Sequence, residues 1–306
     1  MKREMTVFFG AFVCCFLWGS AFPGIKIGYD LWDIQNSDTF GIIRFAGARF
    51  FLAGVLVVLF AWALRKKLPL PRREEWGKIM LLSLFQTVGQ YLFFYIGLAH
   101  TSGVNSAVVD SLTGFFAVIT ASVFMRMERL TARKLVGCLL GFMGVVVINL
   151  TSTGFSFSPL GDGLVALSAM CYGVSSSLIK KNSAKHDTVI FSGWQFILGG
   201  IVMTAFGQTG LTVTGSGGIG RVTLPAVGML AYLALVSSCA YTLWGILLRK
   251  SDVSKLSVYG FMTPVTGVVL SALLLGETDR LEVKYFIALL LIGAGMLTVN
   301  LKSAEE

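Results

Sequence analysis

Histidine is almost missing from this chain: His100 and His186 are the only two in 306 residues. They stand far apart and beside loops, so neither an HExxH zinc site nor a histidine-based triad can be assembled. No Gly-Lys-Ser/Thr phosphate loop is present, which removes direct drive by ATP. Charge is scarce as well, at 13% of residues against 55% hydrophobic, with a mean hydropathy of +0.77. A soluble globule of this length needs more charge to cover its surface, so the chain reads as an integral membrane protein. The cysteines Cys14, Cys15, Cys138, Cys171 and Cys239 all lie in apolar runs without paired spacing in loops. They imply neither a disulfide framework nor a thiolate metal site. No cofactor or metal is expected, and Asp110, alone inside an apolar run, has no partner acid for catalysis.

What the chain does have is ten apolar runs, at 7–28, 40–64, 76–98, 103–125, 132–150, 161–181, 187–208, 226–248, 255–276 and 282–301. Each is close to the roughly 20 residues that a bilayer core requires of a spanning helix, and backbone amides in lipid must find internal partners, so all ten are predicted helices. The stretch from Gly207 to Pro225, rich in Gly, Thr and Ser, reads as the longest loop. The net charge of +9 is carried by alternate loops. Lys2, Arg3, Arg65, Lys66, Lys67, Arg72, Arg73, Arg126, Arg129, Arg133, Arg249 and Lys250 fall on one side, whereas Arg221, Arg280 and Lys284 fall on the other. The positive-inside rule then places both termini in the cytoplasm of a multi-pass cell-membrane protein. No basic patch interleaved with aromatics remains for nucleic acid.

The runs also repeat. Gly144…Asn149-Leu150 and Gly295…Asn300-Leu301 coincide at a shift of 151, Tyr91 and Leu98 match Tyr241 and Leu248 at 150, and Trp18-Gly19 and Lys26 match Tyr172-Gly173 and Lys180 at 154. Residues 1–150 and 151–306 are therefore expected to be two copies of one five-span unit. An odd number of spans makes the second copy enter the membrane from the opposite face. Inverted repeats of this kind suit a carrier that alternates about a site near the midplane.

Ionisable groups inside spans are costly and tend to be functional. Asp110 and Arg49 lie at depths of roughly 10 and 13 Å at 1.5 Å per residue, and they are expected to pair in at least one conformation, either as a permanent lock or as a pair that substrate or a proton displaces. Helical spacing adds Gln86, Gln90 and Tyr91 on span three, Tyr241 and Trp244 on span eight, Tyr172 on span six and Tyr259 on span nine, and Trp18 on span one joins them as the repeat counterpart of Tyr172. Such residues serve either as a solute-binding surface or as interhelical glue. Lys26 and Lys180 either snorkel or mark the two mouths of a pathway. Gly137, Gly141, Gly144, Gly293 and Gly295 serve either internal packing or a homodimer face. Glu128 and Glu277 follow span ends, where capping or a local salt bridge is expected.

Trp18-Gly19-Ser20-Ala21-Phe22 with Lys26, Ala48-Arg49-Phe50, Gly161-Asp162 and Leu275-Gly276-Glu277 together resemble the drug/metabolite transporter superfamily, EamA-like branch. The resemblance covers essentially the whole chain. It implies ten helices as two inverted five-helix repeats, with spans one to four and six to nine around a central cavity and spans five and ten peripheral. It also implies gradient- or proton-linked transport of small metabolites across a bacterial-type inner membrane, often export of amino acids. Where the family often carries proline in span four, as Pro264 stands in span nine, this chain has Gly114. The alternative is a non-transporting scaffold or receptor, and saturable movement of a labelled solute discriminates the two.

Overall fold

In the computed structural model, which describes residues 2–101, 106, 109–149, 158–215, 222–274 and 283–300, the regular structure is helical throughout. The helices are α1 (Lys2–Leu31), α2 (Thr39–Arg65), α3 (Arg73–Leu98), α4 (Thr113–Phe124), α5 (Ala132–Asn149), α6 (Pro159–Ser183), α7 (Thr188–Thr214), α8 (Leu224–Lys250), the broken pair α9a (Val253–Tyr259) and α9b (Met262–Leu274), and α10 (Val283–Asn300). Helices α1, α2, α3, α6, α7 and α8 are long and apolar enough to cross a bilayer, and α4 and α10 contribute shorter apolar helices. Polarity is arranged for lipid: Arg49, Gln86, Thr87, Ser168 and Gln195 are buried, while Phe9, Phe60, Phe124 and Phe286 are exposed.

Short polar residues start the long helices. Asp38 Oδ1 accepts from the Gly41 amide, Ser158 Oγ from Gly161, and Thr223 Oγ1 from Ala226, each filling one of the free N–H groups of a first turn. Asp187 Oδ1 accepts from the Val189 amide at 2.8 Å, and Asp187 Oδ2 pairs with Arg65 at 2.6 Å. Burial pushes the Asp187 carboxyl up, but the Arg65 guanidinium and the Val189 and Ile190 amides outweigh it and hold the carboxyl below its ordinary range. A depressed carboxyl stabilises the fold above its unfolded value and loses that contribution as pH falls through the folded one. Asp187→Asn keeps a capping side chain and removes the charge. It should lower the melting temperature at pH 7, and thermal unfolding in detergent should show the gap to the native chain closing below roughly pH 4.

The tightest seam joins α2 to α7, which run antiparallel: the Phe40 ring meets Gly210, Arg44 meets Gly207, Phe51 meets Gly200 and Gly54 meets Ile197. A methyl group added at Gly54 would stand 2.5 Å from the Gly193 carbonyl oxygen and 2.6 Å from the Ile197 nitrogen, and one at Gly200 would stand 2.8 Å from the Gly47 oxygen, against the Phe51 backbone. The reading of Gly207 to Pro225 as a loop is corrected here. Helix α7 continues to Thr214 and ends on Gly215 at φ 63°, because Gly207 and Gly210 seat the neighbouring helix instead of breaking their own. Among the span-five and span-ten glycines, Gly137, Gly141, Gly144 and Gly295 are taken up by internal packing, and Gly293 faces open space.

On the face with the basic loops, Glu75 is buried and accepts from the Arg72 amide at 2.7 Å. Lys78 Nζ lies 2.8 Å from His186 Nε2, and His186 Nδ1 lies 2.7 Å from Glu75 Oε1. An ammonium only donates, so Nε2 accepts from Lys78 and Nδ1–H donates to Glu75. Nearby, Glu128 accepts from the Val253 amide and from the Ser254 hydroxyl, capping α9a, and pairs with Lys134 at 2.9 Å. Of the capping and the local salt bridge expected as alternatives for Glu128, the structure shows both, with the cap on α9a. Glu277 lies outside the described residues.

Candidate functional site

Where α1, α2, α3, α7 and α8 meet, aromatic rings enclose one guanidinium. Arg49 on α2 is 5% exposed, with Cζ 4.5 Å from the centroid of the Phe50 ring and 5.9 Å from that of Tyr91. Phe50 stacks on Phe196 at 5.4 Å, and the Tyr91 hydroxyl hydrogen-bonds to that of Tyr241. Trp18 closes the box, 5.0 Å from both Tyr241 and Trp244. Tyr29 and Tyr95 pack in the same cluster as Phe50, Phe196 and Tyr241. Several polar atoms here have no hydrogen-bond partner among the described residues: Trp18 Nε1, Trp244 Nε1, Arg49 Nε and Gln90 Oε1. Buried polar groups in native proteins are ordinarily satisfied. A cluster left open marks a place where something else supplies the partner.

Two devices position this layer. Helix α3 carries a π-helical turn at Leu84–Gly89, just before Gln90 and Tyr91, and wide turns of this kind often accompany functional sites. Gln86 on that turn is buried. Thr87 donates to Gln195 Oε1 at 2.7 Å and Ser83 to the Gln195 carbonyl at 2.8 Å, tying the turn to α7.

About one helical turn along α1 from Trp18 lies a second layer, built on interrupted helices. In span nine the helix breaks at Gly260 and Phe261, and in span four helical Val109 and Asp110 are followed by a turn at Ser111 and Leu112. The Tyr259 carbonyl beside the first break accepts from the Cys15 thiol at 3.2 Å. Tyr172 on α6 accepts at its carbonyl from the Ser175 hydroxyl at 2.9 Å, and the neighbouring Gly173 packs on the Phe116 and Ala117 backbone of α4. Gly114 is a seat: a methyl there would stand 2.7 Å from the Phe261 ring.

The structure therefore brings Trp18, Arg49, Tyr91, Tyr241 and Trp244 together, with Gln86 and Gln90 on the adjoining turn, and leaves Tyr172 on α6 and Asp110 beside the break in span four. It does not join Asp110 to Arg49. In this conformation no carboxylate among the described residues pairs with Arg49, whose cation rests on ring faces instead. Equal depth sets only height along the membrane normal, and the rotation of each helix about its own axis turns Asp110 and Arg49 to different neighbours. The Tyr259 ring packs on Phe8 at 5.9 Å, ten residues along α1 from Trp18 and so outside the aromatic box. Lys26 is exposed, and Lys180 Nζ donates to the Ser251 carbonyl at 2.6 Å. Sequence reasoning missed Phe50, Phe196 and Gln195. The signal was available: Arg49-Phe50-Phe51-Leu52-Ala53-Gly54 and Gln195-Phe196-Ile197-Leu198-Gly199-Gly200 align at a shift of 146.

Membrane-length helices with apolar exteriors, broken spans and a polar, partly unsatisfied interior define a polytopic membrane protein of the transporter class. The chain belongs to the EamA-like transporter family, whose model matches residues 5–150 and again 159–301. An uncharacterized transporter of Archaeoglobus fulgidus is 28% identical over 268 residues, covering 85% of this chain and 86% of the relative. A probable amino-acid metabolite efflux pump of Salmonella typhimurium is 25% identical, covering 88% and 87%. An uncharacterized inner membrane transporter of Escherichia coli is 28% identical, covering 90% and 85%. A crystal structure at 19% identity shares the fold, with a TM-score of 0.76 over 97% of this chain and 96% of the other. The protein is a membrane transporter for small solutes and not an enzyme.

Proposed function

We propose that this transporter exports amino acids or related small organic metabolites across the cytoplasmic membrane by alternating access between two inverted five-helix repeats, residues 1–150 and 151–306. The observation that carries the reading is reciprocity of contact. Gly54 touches Gly193 and Ile197, and Gly200 touches Gly47 and Phe51. At the 146 shift (54 + 146 = 200, 193 − 146 = 47, 197 − 146 = 51) these are one contact made twice. Phe50 stacks on its own counterpart Phe196, and Tyr91 bonds to its own counterpart Tyr241. Self-pairing of equivalent residues is what a two-fold axis produces. The breaks in spans four and nine, at Ser111–Leu112 and Gly260–Phe261, also fall 149 residues apart (260 − 111 = 149), as expected if each half contributes one discontinuous helix to the site.

On this reading Trp18, Arg49, Gln86, Gln90, Tyr91, Tyr241 and Trp244 hold the solute. Asp110 and Tyr172, at the broken helices, carry the coupling proton, with Tyr259 beside the second break. Lys26 marks one mouth, while Lys180 fastens the other end of its repeat. Both termini face the cytoplasm, as the basic loops require. Export of amino-acid metabolites is the function printed for the Salmonella relative, and it fits a mixed aromatic and polar interior. A homodimer has only the open face at Gly293 in its favour.

The test is counterflow in proteoliposomes across a panel of amino acids, nucleosides and small organic acids. Saturable exchange of at least one solute is expected, with its pH dependence flattened in Asp110→Asn. Folded protein that exchanges no solute would favour the scaffold reading, and an unchanged pH profile in the variant would remove Asp110 from coupling.

A further inference from the structure

We infer that Arg49 is the seat of a carboxylate on the transported solute, so that substrates are organic acids and zwitterionic amino acids, and matched amines and alcohols are rejected. This deepens the carrier reading and rests on it. Arginine stays protonated in proteins, and a buried charge without a counter-charge is strongly disfavoured. Arg49 is 5% exposed, yet the groups around it are neutral: Phe50 and Tyr91 offer ring faces, and Tyr29, Tyr95 and Tyr241 pack in the same cluster as Phe50. Ring faces attract the cation but do not fill the in-plane fork of N–H donors, and Nε has no acceptor among the described residues. The occupant of the site is left to supply the negative charge.

The chemistry of that occupant follows from the same surround. A planar fork matches a carboxylate with two parallel N–H···O bonds. Arg49 brings one positive charge to this cage, which matches a carboxylate monoanion better than a phosphate dianion. The rest of the solute meets Phe50, Tyr241 and Trp18, which accept an apolar body.

Four probes sharing one branched alkyl body separate the possibilities: 4-methylpentanoate, L-leucine, 3-methylbutylamine and 4-methylpentanol. Titration calorimetry on the full chain in nanodiscs should show the two carboxylates binding at least about tenfold more tightly than the amine or the alcohol, since a hydrogen bond to a charged group is of that order. Arg49→Gln should abolish the preference while leaving alcohol binding within about twofold, and Arg49→Lys should retain part of it. Arg49→Gln should also melt no lower than the native chain, because it removes a buried unpaired charge. Equal binding of all four probes, binding of none, or a preference that survives Arg49→Gln overturns the assignment. Counterflow of 4-methylpentanoate or L-leucine in proteoliposomes reads the carrier function separately. Carboxylate-selective binding without exchange would defeat the transport reading and leave Arg49 as an anion seat, whereas exchange unaffected by Arg49→Gln would do the reverse.

Discussion

Alanine at Gly54 or at Gly200 is expected to cost about 3 kcal/mol, near the upper end for overpacking, and to lower the melting temperature by several degrees. The atoms each new methyl would meet belong to backbone on the facing helix, the Gly193 oxygen and Ile197 nitrogen in one case and the Gly47 oxygen and Phe51 backbone in the other. Backbone cannot swing aside as a side chain can, so α2 and α7 must separate along their length. Gly228 on α8 is the control, since a methyl there meets nothing within 4 Å. Gly228→Ala should be neutral or stabilise by up to about 1 kcal/mol through helix propensity alone. Thermal unfolding of the three variants in one detergent checks both signs. Equal melting temperatures for all three would show that the seam is looser than its geometry. Because the two contacts are equivalent, the double variant should fall short of the sum of the single losses: once one methyl has parted the helices, the second finds room.

The second large effect belongs to Glu128. Its side chain is 4% exposed and its partner Lys134 13% exposed, and it also holds the first amides and the Ser254 hydroxyl of α9a. Glu128→Ala strands the ammonium and the helix start together. The expected loss is about 3 kcal/mol, the lower range for breaking a buried pair. Lys134→Ala in that background should cost little more, because the stranded charge is then gone. A full additional loss on the second substitution, read from the melting curves, would mean that Lys134 is held by the Arg129 carbonyl, 2.8 Å away, more than by Glu128.

Much of the fold was legible because lipid imposes a coarse code. Around 20 apolar residues between basic loops can hardly be anything but a span, and the predicted limits of α2, α3, α6 and α8 lie within three residues of those observed. What resisted reading was the face each helix turns to its neighbours. Gly207 and Gly210 have loop composition, yet they lie inside α7 because the Arg44 backbone and the Phe40 ring need the space. Nothing in Leu84–Gly89 announces a π-helical turn. Asp110 and Arg49 looked like partners because depth was counted along the membrane normal, while rotation about each helix axis decides who meets whom. The tyrosines and tryptophans fared better: Tyr91 and Tyr241 stand at matched positions of the two repeats, Tyr241 and Trp244 at helical spacing, and with Trp18 they ended on one interior surface.

The wide turns at Leu84–Gly89 in α3 and Thr120–Phe124 in α4 bear on how the gene can be edited. Elsewhere in a spanning helix, deleting one codon rotates everything beyond it by about 100° and scrambles the buried face. A π-helical turn already holds one residue more than an α-helical turn needs, so a deletion inside it can be absorbed by tightening to the ordinary pitch. A scan of single-codon deletions should therefore recover folded protein more readily from these two segments than from the uninterrupted lengths of α2, α7 or α8.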